Sequence, residues 1–181
     1  TDIGLKMLAI RSGEAVLEIG FGTGHALLKL ARAAQPKIVH GIDISSKMRT
    51  AAEKKLRRAG LKDSAQLKTE DAAKLPYDNS QFDAIFIGFT LELFDTPEIP
   101  LVLQECYRVL KSSGRLGVVA LKKEDCRAIQ VYEWFHKKMP TLVDCRPIYA
   151  KESLKDAGFQ IIKNRKMTMW GLPLSIILAK R

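Results

Sequence analysis

Three acidic side chains in the first half of the chain lie within or shortly after short apolar runs. Glu18 lies inside the first run, Asp43 ends the second, and Asp71 follows the third. Apolar runs of this length predict buried strands, and α/β proteins bind ligands at the carboxyl ends of neighbouring parallel strands. A carboxylate at such an edge accepts hydrogen bonds from hydroxyl groups or attracts a positive charge. The three acids are therefore candidate ligand-binding groups.

Glycines form the segment that follows the first predicted strand. Gly20, Gly22 and Gly24 come directly after the apolar run 15–19, and apolar residues at helical spacing follow from Leu27 onward. Because glycine has no Cβ, it permits positive φ and lets a ligand approach the backbone closely. Strand, glycine loop and helix in this order predict the opening of a βαβ unit with a binding loop.

The spacing of these glycines does not fit a dinucleotide site. Such sites use G-x-G-x-x-G to hold a pyrophosphate at a helix start, but His25 or Leu27 takes the place of the third glycine here. Glu18, two residues before Gly20, would repel a phosphate and attract a cation. Asp43 suits the two hydroxyls of a ribose, a role that dinucleotide enzymes also give to an acid. It therefore predicts an adenosine-type ligand without deciding which one.

Four segments together resemble the class I S-adenosylmethionine (SAM) methyltransferases of small-molecule type. They are Glu18-x-Gly20-x-Gly22-x-Gly24, the segment 70–77 (Glu-Asp-Ala-Ala-Lys-Leu-Pro-Tyr), Phe82-Asp83 before the fourth strand, and residues 108–116 (Arg-Val-Leu-Lys-Ser-Ser-Gly-Arg-Leu). The subgroup to which the chain is similar includes the ubiquinone and menaquinone C-methyltransferases. The resemblance implies a methyltransferase that uses SAM and releases S-adenosylhomocysteine.

The expected fold is an α/β, Rossmann-like mixed sheet of seven strands with helices on both faces. The connection between the last two strands contains Gly171 and Pro173 and is too short for a crossover helix. We therefore predict that these strands pair antiparallel as a C-terminal hairpin. Residues 1–181 are expected to form a single methyltransferase domain. Because the chain begins at Thr1, we expect that an N-terminal lid segment is missing.

The resemblance also implies a set of cofactor-binding residues. Asp43 would contact the ribose, Asp71 would accept a hydrogen bond from the adenine amino group, and the Ala72 amide would face a ring nitrogen. The complete predicted set is Glu18, Gly20, Phe21, Gly22, Gly24, Asp43, Ile44, Met48, Asp71, Ala72 and Gly88. No metal site is predicted, because Cys106, Cys126 and Cys145 lack the spacing of metal ligands.

The methyl acceptor is expected to be a small molecule, with quinone-like and aromatic compounds as candidates. Gly88-Phe89-Thr90-Leu91 stands where methyltransferases of nucleobase amines resemble one another in an Asn/Asp-Pro-Pro-Tyr/Phe motif. A helix predicted over 127–138 would cover the acceptor pocket. No catalytic base is assigned; His136 and Glu92 are candidates by position.

A net charge of +10 keeps other functions open. One is a SAM enzyme that acts on RNA, although the basic residues lie on predicted solvent faces of helices without interleaved aromatic residues. Others are an NAD(P)-linked oxidoreductase and a non-catalytic SAM-binding regulatory module. No apolar run is long enough to span a membrane, so a cytoplasmic location is expected. A homodimer is compatible with the sequence.

Overall fold

The computed structural model of this chain describes residues 1–123 and 147–181. Its helices in this part of the chain are α1 Asp2–Leu8, α2 His25–Ala34, α3 Ser46–Arg58, α4 Ile99–Val109 and α5 Ala150–Asp156, with short 3₁₀ turns at Lys62–Ser64 and Leu91–Leu93. The strands are β1 Val16–Ile19, β2 Val39–Asp43, β3 Ala65–Thr69, β4 Phe82–Gly88, β5 Leu110–Leu121, β6 Gln160–Met169 and β7 Leu172–Lys180.

The strands form one mixed sheet in the order β3-β2-β1-β4-β5-β7-β6. Neighbours among β1 to β5 pair in parallel, whereas β7 pairs antiparallel with both β5 and β6. Two residues join β6 to β7, which leaves no room for a crossover and forces a hairpin. The predicted seven-stranded sheet and its antiparallel C-terminal hairpin are confirmed. The last strand lies between β5 and β6, so β6 forms the edge of the sheet.

Helices cover both faces of the sheet, as predicted. Leu27 of α2 and Leu56 of α3 belong to the core on one face, and Leu103 of α4 and Leu154 of α5 belong to the core on the other. The central strands β1 and β4 are almost entirely buried, as expected for parallel strands covered on both sides. This burial fixes the ends of these strands, where the candidate ligand-binding groups lie.

The pairing of β5 with β4 is interrupted near the start of β5. Pairing with β4 begins at Leu110, opposite Phe82, and resumes at Arg115, opposite Ala84. The residues between them bulge opposite Asp83, whose carboxylate accepts hydrogen bonds from Lys111 Nζ (2.7 Å) and from the Ala15 amide (2.9 Å). This side chain joins β4 to the segment before β1.

In the two described ranges, no helix is long and apolar enough to cross a membrane. The helix predicted over 127–138, with its candidate base His136, lies outside the described residues.

Candidate functional site

The glycine loop after β1 is held against the segment that follows β4. The Gly20 amide donates to the Ile42 carbonyl (2.7 Å), and φ at Gly20 is 69°. A Cβ on Gly20 would lie 2.1 Å from Cγ2 and 2.2 Å from Oγ1 of Thr90. The Thr90 hydroxyl lies 3.3 Å from the Gly20 carbonyl and 3.2 Å from that of Gly88. Only glycine therefore fits at position 20, because any larger residue would push β4 and the loop apart.

Asp43, at the end of β2, fixes this loop from the other side. Its Oδ2 accepts a hydrogen bond from the Gly22 amide (2.8 Å), and its Oδ1 accepts one from the Ser45 amide (2.9 Å). Ser45 in turn caps α3, its hydroxyl accepting a hydrogen bond from the Met48 amide (3.3 Å). Each carboxylate oxygen keeps a further lone pair. The half-buried Asp43 can thus position the loop and still accept a hydrogen bond from a ligand.

Glu18 lies beneath the loop and is 3% exposed. Its Oε2 has no hydrogen-bond partner in the described ranges. Burial, and secondarily the charge of Asp43, raises the pKa of Glu18 from 4.5 to about 8. A buried carboxyl group without a partner is destabilising, and a cation bound nearby would favour its ionised form.

A cavity of about 610 Å³ opens where β1, β2 and β4 end. Eight of the predicted cofactor-binding residues line it: Gly20, Gly22, Asp43, Ile44, Met48, Asp71, Ala72 and Gly88. Three predicted residues do not. Phe21 is buried in the core beside Gly41, Gly24 is the N-cap of α2, and Glu18 is buried within β1. The sequence thus brings most of the predicted set to one place.

The lining residues carry charge of one sign. The acids that line the cavity are Asp43, Glu70, Asp71 and Glu98, and no lysine, arginine or histidine is among the described residues that line it. Within a chain of net charge +10, such a cavity attracts a cation and disfavours a diphosphate. The sequence had suggested this preference through Glu18, Asp43 and Asp71 together.

Several lining residues lie outside the predicted cofactor-binding set, and they belong to the segment after β4 that the sequence placed on the acceptor side. Phe89 has a left-handed backbone with φ of 58°, and its amide donates to the Val119 carbonyl (2.7 Å). Leu93 and Phe94 complete an apolar wall next to Gly88. The position of Phe89 and Thr90 after a predicted central strand could have indicated them. Leu93 and Phe94 lie in an irregular segment that no periodicity marks.

Helix α4 holds the loop that follows β3, a support that sequence reasoning missed. The Leu75 amide donates to Glu105 Oε2 (2.7 Å), and Arg108 donates to the carbonyls of Leu75 (3.0 Å) and Tyr77 (2.8 Å). Glu105 and Arg108 also form an ion pair at 2.7 Å. At the start of this loop the Asp71 carboxylate accepts a hydrogen bond from the Ala73 amide (2.8 Å). Two residues of one helix thereby position the predicted adenine-binding segment.

Glu92, a candidate base by position, is fully buried and is not among the residues that line the cavity. Its Oε1 accepts a hydrogen bond from the Leu121 amide (3.2 Å), and its Oε2 has no partner in the described ranges. Burial raises the pKa of Glu92 to about 7. His25 begins α2 and is exposed. In residues 1–123 and 147–181, no group of His, Cys, Asp and Glu could hold a metal ion.

Comparison with known families identifies this architecture. The family described as "Methyltransferase domain" matches residues 16–114. The chain belongs to this methyltransferase family. Its matched residues run from β1 through the glycine loop, Asp43, Asp71 and α4. The predicted membership of the SAM-dependent methyltransferases, with SAM as the cofactor, is confirmed at the level of the family.

Curated relatives of this chain include proteins named for quinone biosynthesis. A demethylmenaquinone methyltransferase from Lactobacillus johnsonii is 36% identical over 137 residues, which are 75% of this chain and 55% of the relative. A ubiquinone/menaquinone biosynthesis C-methyltransferase from Allorhizobium ampelinum is 29% identical over 133 residues, 71% of this chain and 50% of the relative. The chain spans about half the length of these curated relatives.

Solved structures share the fold across nearly the whole chain. A putative methyltransferase from Bacillus halodurans superposes with a TM-score of 0.84 at 16% identity, covering 99% of this chain and 97% of that one. The [4+2]-cyclase SpnF gives 0.81 at 22% identity, covering 99% and 79%. These likenesses confirm the predicted Rossmann-like fold and do not identify a reaction, because one fold can host different chemistries.

Proposed function

We propose that this chain transfers a methyl group from SAM to a small apolar acceptor, with quinone-like aromatic compounds as the first candidates. The observation that carries the proposal is the acidic cavity of a basic protein. Asp43, Glu70 and Asp71 gather at the ends of β2 and β3, and no described basic residue faces them. A cationic cofactor with an adenosine moiety matches that chemistry better than a dinucleotide does.

The residues present fit SAM. Asp43 has lone pairs left for ribose hydroxyls, and Asp71 has a carboxylate oxygen left for the adenine amino group. Ile44 and Met48 are 79% and 38% exposed at the rim, where large apolar side chains can cover an aromatic ring. Gly22 has no atom within 4 Å of its hypothetical Cβ, so the loop leaves open space for a ligand. Glu18, whose pKa is raised to about 8, gains negative charge when a bound cation favours its ionised form.

SAM supplies a methyl group activated by a sulfonium. The protein's contribution is to bind and to align, since alignment of reactants provides much of the rate in such displacements. Phe89, Leu93 and Phe94 form an apolar wall on the side of β4. The cavity's carboxylates hold positive charge, and the Gly20–Thr90 contact fixes the loop relative to the wall. We assign no general base, and the described residues along this wall include no histidine.

The apolar wall and the names of the relatives support a quinone-like acceptor. Phe89, Leu93 and Phe94 present apolar surface next to Gly88, which suits a flat ring. RNA as an acceptor stays an alternative, raised by the net charge of +10. The acidic lining disfavours RNA in this cavity, because phosphates would be repelled there. The expected homodimer and the non-catalytic regulatory role also stay predictions.

Activity is tested by incubating the protein with SAM and a panel of quinols, phenols, amines and short RNAs, and detecting S-adenosylhomocysteine by mass spectrometry. We expect turnover with a quinol or phenol and none with RNA. Asp43→Ala should lose most turnover at limiting SAM, whereas Asp63→Ala, an exposed acid in a 3₁₀ turn, should keep it. Turnover with RNA alone would overturn the acceptor class. SAM binding without turnover on any acceptor would favour the regulatory role.

A further inference from the structure

The turn between β6 and β7 carries a residue that its conformation does not favour. Trp170 and Gly171 form this turn, with φ of 50° and 81°. Two-residue hairpin turns with positive φ at both positions prefer Asn-Gly, because a bulky side chain is strained in the left-handed region. Trp170 is also 92% exposed, so packing in the fold does not account for a tryptophan there. A strained, exposed aromatic residue indicates a function.

The hairpin that carries Trp170 is strongly basic. Residues 160–181 contain five lysines and arginines and no aspartate or glutamate: Lys163, Arg165, Lys166, Lys180 and Arg181. Strand β6 is the outer strand of the sheet, and most of its side chains are exposed. Basic side chains on an exposed edge strand discourage pairing with another sheet. Of these residues Lys166 lies nearest the turn along β6, whereas Lys180 lies at the opposite end of the hairpin, paired with Gln160.

Further basic residues lie just below the turn. Lys123, Lys151 and Lys166 line a cavity of about 280 Å³ together with Tyr149, and Glu152 is the acid among the described residues that line it. Lys123 Nζ lies 5.8 Å from the ring centre of Tyr149, which is 55% exposed.

The hairpin turn extends beyond the end of β5. Leu121, the last residue of β5, pairs with Leu174, so the turn at 170–171 projects past the carboxyl end of β5. The turn and these lysines thus share one end of the sheet.

We propose that this surface docks on an anionic lipid bilayer. The docking surface is defined as the turn residues Trp170 and Gly171 with Lys123, Lys151 and Lys166. Tryptophan favours the interface between lipid headgroups and acyl chains, and each lysine near an anionic surface adds attraction. Stable attachment needs both an apolar anchor and a basic patch, and the two occur together here. A single protruding aromatic residue on a convex turn suits a bilayer better than a nucleic acid, which is bound in grooves with several stacking residues.

This docking is separate from the proposed methyl transfer and uses none of the residues that line the acidic cavity. It does place the carboxyl ends of the strands, where the cavity opens, toward the bilayer. Membrane binding can therefore be measured without SAM or an acceptor, and its failure would leave the methyltransferase proposal untouched.

The test is flotation of the protein with vesicles of phosphatidylcholine, with and without phosphatidylglycerol. We expect binding only to the anionic vesicles. Trp170→Asn should weaken binding about tenfold, and Trp170→Phe should restore most of it. Asparagine suits the left-handed turn, so the melting temperature of Trp170→Asn should not fall, which separates loss of docking from loss of fold.

The charge contribution has a matched control. Removing both charges in Lys123→Gln/Lys151→Gln should weaken binding by about fivefold per charge. The pair Lys54→Gln/Arg58→Gln removes the same charge from exposed positions on α3. It should change binding less than about twofold, which is roughly half the free energy expected for one charge near the membrane. No binding to anionic vesicles, equal effects of the two pairs, or indifference to Trp170→Asn would each overturn the proposal. Binding of an oligonucleotide through these residues without vesicle binding would assign the surface to nucleic acid.

Discussion

The two sides of the sheet's carboxyl edge carry opposite charge. Where β1, β2 and β3 end, Asp43, Glu70 and Asp71 face one cavity without a described basic residue. Beyond the end of β5, Lys123 and Lys151 are among the lysines that face a second cavity. The net charge of +10 therefore describes neither site. The net charge sums over an acidic pocket suited to a cation and a basic surface suited to anions.

The two sides also differ in what holds them. On the acidic side, carboxylates accept hydrogen bonds from main-chain amides, as Asp43 does from Gly22 and Ser45. This gives fixed positions to the groups that face a ligand. On the basic side, long flexible side chains surround an exposed turn, which suits a fluid surface such as a bilayer. The following predictions separate the two sides, starting with the contact that joins the acidic side to β4.

Gly20→Val should have the largest effect. Its Cβ would collide with Thr90 and would require positive φ for a β-branched residue, so we expect a loss of about 3–5 kcal/mol in the free energy of unfolding and no SAM binding. Chemical denaturation measures the first and calorimetry the second. Gly13→Val is the control, because Gly13 also has positive φ but has open space around its Cβ. Equal losses in both variants would show that backbone conformation, and not the Thr90 contact, sets the cost.

Glu18→Gln should change the pH dependence of stability. The pKa of Glu18 is raised to about 8 in the folded state, so between about pH 5 and pH 8 the folded chain holds a proton that the unfolded chain has lost. Raising the pH through this window therefore destabilises the wild type, and glutamine removes that loss. The free energy of unfolding of the variant should gain roughly 2–4 kcal/mol relative to wild type across the window. If the difference in free energy of unfolding between variant and wild type stayed constant from pH 5 to pH 8, the buried, unpartnered carboxyl group would be contradicted.

Most of the acidic side could be predicted from local sequence. Gly20, Asp43 and Asp71 each follow a strand at short range, so strand order alone brings them together. Glu18 and Phe21 belong to the same motif but point below the cavity or into the core. Their direction depends on strand alternation and on packing against Gly41, which the spacing of the motif does not reveal.

The side beyond β4 could not be predicted in the same way. Phe89 lines the cavity with a left-handed backbone, Leu93 ends a 3₁₀ turn, and Phe94 follows that turn. The clamp of Glu105 and Arg108 on the loop after β3 joins residues about 30 positions apart. No periodic pattern in the sequence marks either feature, because both form only when the helices and strands pack. The hairpin was predicted from loop length, but the exposure of Trp170 was not.

Asp43→Ala should weaken SAM binding about tenfold, measured by calorimetry. It removes an acceptor for the cofactor and frees the Gly22 amide that now holds the loop. Asp43→Asn keeps one carbonyl acceptor and should lose less. An affinity unchanged in Asp43→Ala would exclude the proposed ribose contact.

Glu92→Gln should have the smallest effect on function. Because Glu92 does not line the cavity, turnover and SAM affinity should each change less than about twofold, well below the effect of losing a catalytic group. The variant should instead become more stable relative to wild type as the pH rises toward 7. The pKa of Glu92 is raised to about 7, so the wild type loses stability over this range, and glutamine does not titrate. A large loss of turnover with unchanged SAM affinity would make Glu92 the general base and would extend the chemistry to the side beyond β4.

Calorimetric titration of the protein with SAM and, separately, with NADH tests the central claim most directly. The acidic cavity predicts saturable binding of SAM with one molecule per chain and no detectable binding of NADH. Binding of NADH without binding of SAM would contradict the account, because a diphosphate would then occupy a site that carries four acids and no described basic residue.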